Sequence, residues 1–381
     1  MSASTPLNAL HAAGQSIWLD FIDRAILQGD TLARRIRDEA LTGMTSNPTI
    51  FEKALASGTA YDAQLAASAA GRTAWELFEL VETDDVRTAC DAFRGVYDAS
   101  KTLDGYVSIE VSPGAAHDAK ATVEEAHRLW KTVDRPNVMI KVPGTPEGCI
   151  ALEQLIADGL NVNVTLLFAV AAHERVIDAY IAGLERRAAA GKPLHNVASV
   201  ASFFVSRVDS AIDAQLDAQV KAGTLTADRA AALKGKAAIA NAKRAYRLFQ
   251  QKFSGARWDA LAAKGAQLQK PLWASTSTKN PTYRDTIYVE ELIGPHTVNT
   301  MPPNTLDAFR DHGVTRRTVD TELAAADAVL SELAAVGIQL DAVTDTLLAE
   351  GLASFQKSFD TLVAGIQQKT AALGHAVATG R

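Results

Sequence analysis

At 381 residues, with 48% apolar and 22% charged side chains, the chain has the balance of a water-soluble protein able to bury a sizeable core. Its 38 basic and 44 acidic residues leave a net charge of −6 with no basic block or polybasic tail. That pattern speaks against a nucleic-acid partner and leaves room for a small anion, which needs only a few local cations. Cys90 and Cys149 are too few for a disulfide framework and lack metal-ligand spacing, so inert thiols in a reducing cytoplasm are expected. The opening MSASTPLNALHAAGQSIW has no basic leader followed by an apolar run, and nowhere do 18 apolar residues run uninterrupted. Neither a signal peptide nor a membrane span is expected, and the chain reads as cytoplasmic.

Short strand-like runs alternate with longer helical patterns. SIWLDF (16–21) is the first predicted strand; Asp30 can cap a helix to about Ala40, and LTGMTSN (41–47) is the second strand. A helical stretch over 48–104 precedes GYVSIEVS (105–112) and NVMIKVP (137–143). Thr145-Pro146-Glu147 then opens a helix, with a capping threonine, a first-turn proline and an early acid. NVNVTLLF (161–168) and VASVASFFVS (197–206) follow, and after them a helical segment over 207–270, in which Thr226 is expected to cap one long helix running through Phe253. PLWAST (271–276) and HTVNTM (296–301) complete the strands. In the helical tail, from about 304 to 375, Leu347, Gly351, Phe355 and Phe359 form a spine at spacing four.

Repeated strand–helix alternation argues for parallel strands joined by crossovers, and eight units predict a (β/α)8 TIM barrel. Such barrels need ~250 residues; the surplus lies in the helical insertions 48–104 and 207–270 and in the tail. With no Pro/Gly/Ser-rich linker, residues 1–381 are expected to form a single domain.

Strand side chains alternate between two faces. Val107, Ile109 and Val111 oppose Ser108 and Glu110; Val138, Ile140 and Val142 oppose Met139 and Lys141; Val162, Val164 and Leu166 oppose Asn161, Asn163 and Thr165. Ile17, Leu19 and Phe21 likewise oppose Ser16, Trp18 and Asp20, and Phe203 opposes Ser202 and Phe204. An antiparallel sheet with one wet face also alternates, but the intervening helices disfavour hairpins. In a barrel the apolar face meets the helices, so Asp20, Asn47, Glu110, Lys141, Asn163, Thr165 and Ser202 point inward near the C-terminal strand ends, where barrel enzymes build their sites.

Lys141 is the informative member. A free lysine, with a pKa of ~10.4, is almost wholly charged at neutral pH, and enclosure favours the neutral amine. A neutral amine adds to a ketone or aldehyde, and loss of water gives an iminium that serves as an electron sink for the neighbouring carbon–carbon bond. Glu110 and Asp20 are candidates for the proton transfers. A structural ion pair between Lys141 and one of these acids is the competing explanation. The eight histidines are scattered without HxH or HExxH spacing, so no metal is expected, and lone ones such as His173 are expected on exposed helix faces. Walker, GxGxxG and GxSxG signatures are absent from the sequence.

Five stretches in order carry a family resemblance: LTGMTSNPTIF (41–51), VMIKVPGT (138–145), GLNVNVTLLF (159–168), VASFFVSRVD (200–209) and WASTSTKNPTYRDTIYVEELIGPHTVNTMPP (273–303). Nearly end to end, the chain resembles the transaldolases, in their longer bacterial subtype. The resemblance implies a class I aldolase barrel without metal or organic cofactor, acting on sugar phosphates of the pentose phosphate pathway; whether it is a monomer or a homodimer stays open. It implies Lys141 as Schiff-base residue, Asp20 as the acceptor of the donor hydroxyl's proton, and Glu110 with Thr165 as activators of the water used in imine formation and hydrolysis. Asn47 and Asn163, helped by Ser202, would hold the dihydroxyacetone hydroxyls, and Phe204 would shield the iminium. Phenylalanine and glutamate at positions 204 and 110, rather than tyrosine and glutamine, lean toward transfer over simple cleavage. Arg207 matches a phosphate-binding arginine. Near the seventh strand, Ser275 is followed by Ser277 and Lys279, so that Lys279 stands in for the family's second arginine. A related aldolase that releases dihydroxyacetone, and a catalytically silent barrel binding sugar phosphates, remain the alternatives.

Overall fold

The computed structural model describes residues 5–56 and 58–374. The opening four residues of the leader reading and the last seven of the expected domain lie outside the described residues. Eight strands form where the sequence predicts them: β1 Gln15–Asp20, β2 Leu41–Thr45, β3 Val107–Glu110, β4 Val138–Pro143, β5 Val162–Leu167, β6 Ser199–Phe204, β7 Lys270–Ala274 and β8 Thr297–Met301. They pair in chain order, all parallel, and β1 bonds both β2 and β8, closing a (β/α)8 barrel. Ile109, Ile140, Val164 and Phe203 face outward into the helical layer and are fully buried there. Strands covered on both faces need this apolar outer side whatever they carry inside.

Inside, the barrel is filled to a definite height. Trp18, Met139, Val200, Leu272 and Val298 form an apolar cluster separate from the main core. Trp18 fits because position 43 is glycine: a Cβ there would lie 2.5 Å from the indole Nε1, which donates to Asp104 Oδ1 at 2.9 Å. Two residues further along the same strands, the inward positions are Asp20, Lys141, Ser202, Ala274 and Thr300, and these line a cavity. The inward face therefore carries an apolar floor beneath a polar mouth.

The helical surplus also shapes the site. The insertion after β2 contains the helices Pro48–Ala56 and Ala74–Ala99, and the tail ends in the 33-residue helix Leu340–Ala372. That last helix is about 50 Å long at 1.5 Å per residue and packs on Pro48–Ala56, Ala74–Ala99 and β5. Its buried face is the expected spine of Leu347, Gly351, Phe355 and Phe359, with Phe359 against Trp75 at 4.7 Å between ring centroids.

Two expectations are corrected. The long helix capped by Thr226 is two helices, Ala227–Leu233 and Ala237–Lys252. Between them Gly235 adopts φ +70° with its N–H donating to Asp213 Oδ1 and the Tyr283 ring against its Cα, where no Cβ fits. Periodicity continues across this break, but the backbone does not. His173 is not exposed but fully buried in the helix Val170–Ala189, its ring 5.9 Å from that of Phe203. Neither ring nitrogen has a hydrogen-bond partner among the described residues, and burial pulls the imidazole down to about 4. Among the described residues no single helix is long and apolar enough to cross a membrane.

Candidate active site

The mouth of the barrel encloses a cavity of about 350 Å³. Register brings its central pair together: Glu110 on β3 is the direct partner of Lys141 on β4. Lys141 Nζ donates to Glu110 Oε2 at 3.1 Å and to the backbone carbonyl of Ser46 at 3.3 Å. Both side chains are nearly enclosed, each residue only 8% exposed. Burial pushes the Glu110 carboxyl above the usual glutamate range, with the Lys141 charge pulling the other way. Ser46 follows β2, and its hydroxyl donates to the Ser108 carbonyl, tying the start of that loop to β3.

Asp20 ends β1 at the edge of the cavity. Burial raises its carboxyl, opposed first by the Lys141 charge and then by the Thr45 hydroxyl, which donates to Oδ1 at 2.9 Å. Because Thr45 gives its proton to Asp20, it accepts from Thr300, 2.8 Å away.

Thr165, Ser202 and Phe204 also line the cavity. Asn163 does not: it lies two residues before Thr165, fully buried, with its amide bridging two hydroxyls. Ser202 Oγ donates to Asn163 Oδ1 at 2.7 Å, and Asn163 Nδ2 donates to Ser108 Oγ at 2.9 Å. Asn47 is in the lining, but its Oδ1 accepts from Ile50 N–H at 3.0 Å as an N-terminal cap of Pro48–Ala56, which leaves Nδ2 as its free donor. Phe204 stacks obliquely on Phe168, with ring centroids 5.1 Å apart.

Cations collect at the rim. Arg207, in the first turn of the helix Ser206–Lys221, lies over the Phe204 ring at 5.1 Å; the helix start adds to its positive field. Burial lowers its guanidinium, against the opposing Asp20 and Glu350 charges. Lys279 donates to Ser277 Oγ at 2.9 Å, and burial followed by the Arg207 charge lowers its amine. Ser275 completes the rim, its hydroxyl 3.0 Å from that of Ser206. Ser275 and Leu166, at φ +56° and +61°, are non-glycine residues in the left-handed region, and both line the cavity. The Leu166 distortion falls where the β5–β6 register shifts, the kind of irregularity that re-aims side chains beside a site.

Several lining residues carry no signal in the strand pattern. Lys53 and Ile50 come from the helix Pro48–Ala56; Gly351, Ser354 and Phe355 come from the C-terminal helix. The spacing-four spine marks Gly351 and Phe355 as buried but not as site residues, and nothing local marks Ser354, whereas Thr45 stands inside the LTGMTSNPTIF stretch. No group of three His, Cys, Asp or Glu side chains among the described residues is arranged to hold a metal ion.

A buried lysine–carboxylate pair above a sealed floor, a second carboxyl at the edge and rim cations with no carboxylate partner among the described residues define a barrel of the lysine-dependent aldolase class, shaped for an anionic carbonyl compound. The family described as transaldolase/fructose-6-phosphate aldolase matches residues 17–366. The chain is 51% identical over 363 residues to a transaldolase of Acidothermus cellulolyticus, covering 95% of this chain and 96% of that one. It is 49% identical over 368 residues to a transaldolase of Frankia alni (96% and 98% covered) and 48% identical over 362 residues to transaldolase 2 of a Nostoc species (93% and 95%). The chain belongs to the transaldolase/fructose-6-phosphate aldolase family, and it is an enzyme, a transferase with sugar-phosphate substrates.

Proposed function

We propose that the chain is a transaldolase in the strict sense, working in the cytoplasm. It moves a dihydroxyacetone unit from sedoheptulose 7-phosphate or fructose 6-phosphate to glyceraldehyde 3-phosphate or erythrose 4-phosphate. The observation that carries this reading is the 3.1 Å contact between Lys141 Nζ and Glu110 Oε2 inside the cavity.

Lys141 loses a proton, with the Glu110 carboxylate as the nearest acceptor, and its amine attacks the ketose carbonyl. Glu110 then works through a water held with Thr165: it delivers the proton that lets the carbinolamine expel water, leaving the iminium. Asp20 takes the proton of the C4 hydroxyl; the C3–C4 bond breaks, its electron pair enters the iminium as an enamine, and the aldose phosphate departs. The acceptor aldehyde reverses these steps, the new alkoxide recovering the proton from Asp20, and water releases the product ketose. The Nδ2 of Asn47 and the hydroxyl of Ser202 orient the three-carbon unit, with Asn163 behind Ser202. Phe204 keeps bulk water from the iminium, a requirement for transfer rather than release. Arg207 and Lys279, with Ser275, take the phosphate, the arginine as a fork and the lysine as a point charge.

Incubation with fructose 6-phosphate followed by borohydride should fix a three-carbon adduct on Lys141, located by mass spectrometry. Absence of the adduct, or its presence on another lysine, overturns the assignment. With erythrose 4-phosphate supplied, transfer product should exceed free dihydroxyacetone; release indifferent to acceptor would make the enzyme an aldolase instead.

A further inference from the structure

We infer that Lys53 is a third phosphate-binding cation, carried to the rim by the same helix that Asn47 caps at the sugar end. This extends the proposed assignment of the cavity and rests on it.

Four cations line the cavity: Lys53, Lys141, Arg207 and Lys279. Of these four, only Lys141 has a carboxylate within 4.0 Å among the described residues. The other three are left without an anionic side-chain partner on one rim, although Asp and Glu outnumber Lys and Arg 44 to 38 in the chain. An arrangement of like charges is unfavourable by itself and becomes favourable when an anion bridges them. Lys53 is close enough to Lys279 for its charge to add to burial and to the Arg207 charge in lowering that amine.

The geometry of Pro48–Ala56 explains how Lys53 reaches this rim. Phe51, Ala54 and Leu55 bury one face of the helix, and Phe51 meets Phe78 edge-on at 5.6 Å. Ile50 and Lys53, three residues apart, share the face toward the cavity. The Thr49 hydroxyl is 2.8 Å from that of Ser358, which fixes the helix to the C-terminal one. From Asn47 to Lys53 the helix advances about 9 Å, at 1.5 Å per residue. That is a length suited to a ketose chain lying between its head group and its terminal phosphate. Lys279 is a single point charge where a guanidinium fork would make two bonds; a second ammonium, from the helix after β2, supplies the missing contact. Lys53 thereby measures the donor as well as neutralising it.

The test compares Lys53→Met and Lys53→Arg with wild type, using fructose 6-phosphate, unphosphorylated fructose and inorganic phosphate as probes. For Lys53→Met the preference in kcat/KM for fructose 6-phosphate over fructose should fall about tenfold, through KM, as expected for loss of one charge-assisted contact. Inhibition by inorganic phosphate should weaken by a similar factor, and Lys53→Arg should recover most of both. An unchanged preference, or equal losses on both sugars with phosphate inhibition intact, overturns the inference. Borohydride trapping on Lys141 in the wild type, run alongside, separates the outcomes: a wild type that traps the adduct while Lys53→Met keeps its preference condemns the role of Lys53 alone, whereas failure to trap condemns the underlying assignment.

Discussion

Glu110 and Lys141 are register partners across β3 and β4, and each is the other's closest charged contact, at 3.1 Å. A structural ion pair and a catalytic couple predict different costs for losing one member. Removing one partner of a buried pair ordinarily costs about 3–5 kcal/mol, because a naked charge is left behind. Glu110 can escape that penalty by taking a proton, which burial already favours.

Lys141→Met should therefore keep its fold, with a stability loss below that range in urea denaturation, while transaldolase activity falls at least about a thousandfold, as for loss of a covalent nucleophile. Glu110→Gln should trap the adduct more slowly and lose roughly 10²–10⁴ in kcat, the usual contribution of a positioned acid–base group. A Lys141→Met protein that unfolds yet shows no loss of specific activity in its folded fraction would make the pair structural.

The acid limb of the rate profile should belong to Asp20. Its proposed role needs the carboxylate, so activity is lost as pH falls through its pKa, and burial raises that pKa above the usual aspartate range. The Thr45 hydroxyl donates to Oδ1 and favours the ionised form. Thr45→Val, which removes the donor and keeps the shape, should shift the acid limb of kcat to higher pH. A limb that stays in place, or moves down, would assign it to another group.

Alternation along each strand made the inner face legible, so Asp20, Glu110, Lys141, Thr165 and Ser202 could be read directly from period two. Depth along the barrel could not be read the same way. Asn163 shares that face, yet sits one step below the cavity because the filling is layered and only the top layer meets the opening. Lys53 was unreadable for another reason: on an isolated helix it is an ordinary solvated lysine, and tertiary packing of that helix, Phe51 against Phe78 and Thr49 against Ser358, aims it at the rim. Phe355 and Gly351 reach the mouth through contacts made hundreds of residues away in sequence. The break at Gly235 and the burial of His173 were hidden because periodicity records which face a residue takes, not whether the backbone continues or what covers that face.

The position of Asn163 has its own consequence. Its amide holds the Ser202 and Ser108 hydroxyls at 2.7 and 2.9 Å, so Asn163→Leu leaves both unpaired in a buried setting. A stability loss of about 1–3 kcal/mol is expected for each buried hydroxyl left unsatisfied. Activity should fall along with it, because Ser202 loses its orientation. In a double-mutant cycle Asn163→Leu and Ser202→Ala should be strongly non-additive, coupled by at least about 0.5 kcal/mol in transition-state energy. Simple additivity would mean that Asn163 reaches the substrate independently of Ser202.

His173 offers a stability prediction with a definite sign. Buried against Phe203 and held down to about 4, its imidazole stays neutral in the native state where an unfolded histidine, near 6.5, takes a proton. Between those values the unfolded chain binds more protons than the folded one, so stability is complete above pH 6.5 and is lost as pH falls toward 4. At 1.36 kcal/mol per pH unit, this group alone should remove about 2–3 kcal/mol by pH 4.5. His173→Phe has no proton to bind and no unpartnered ring nitrogens to bury, and it keeps an aromatic ring against Phe203. Urea denaturation at pH 7 and pH 4.5 should therefore show the variant gaining on wild type by about that amount at the lower pH. If the difference between the two proteins is the same at both pH values, the native imidazole takes up its proton as readily as the unfolded one, and the burial argument fails.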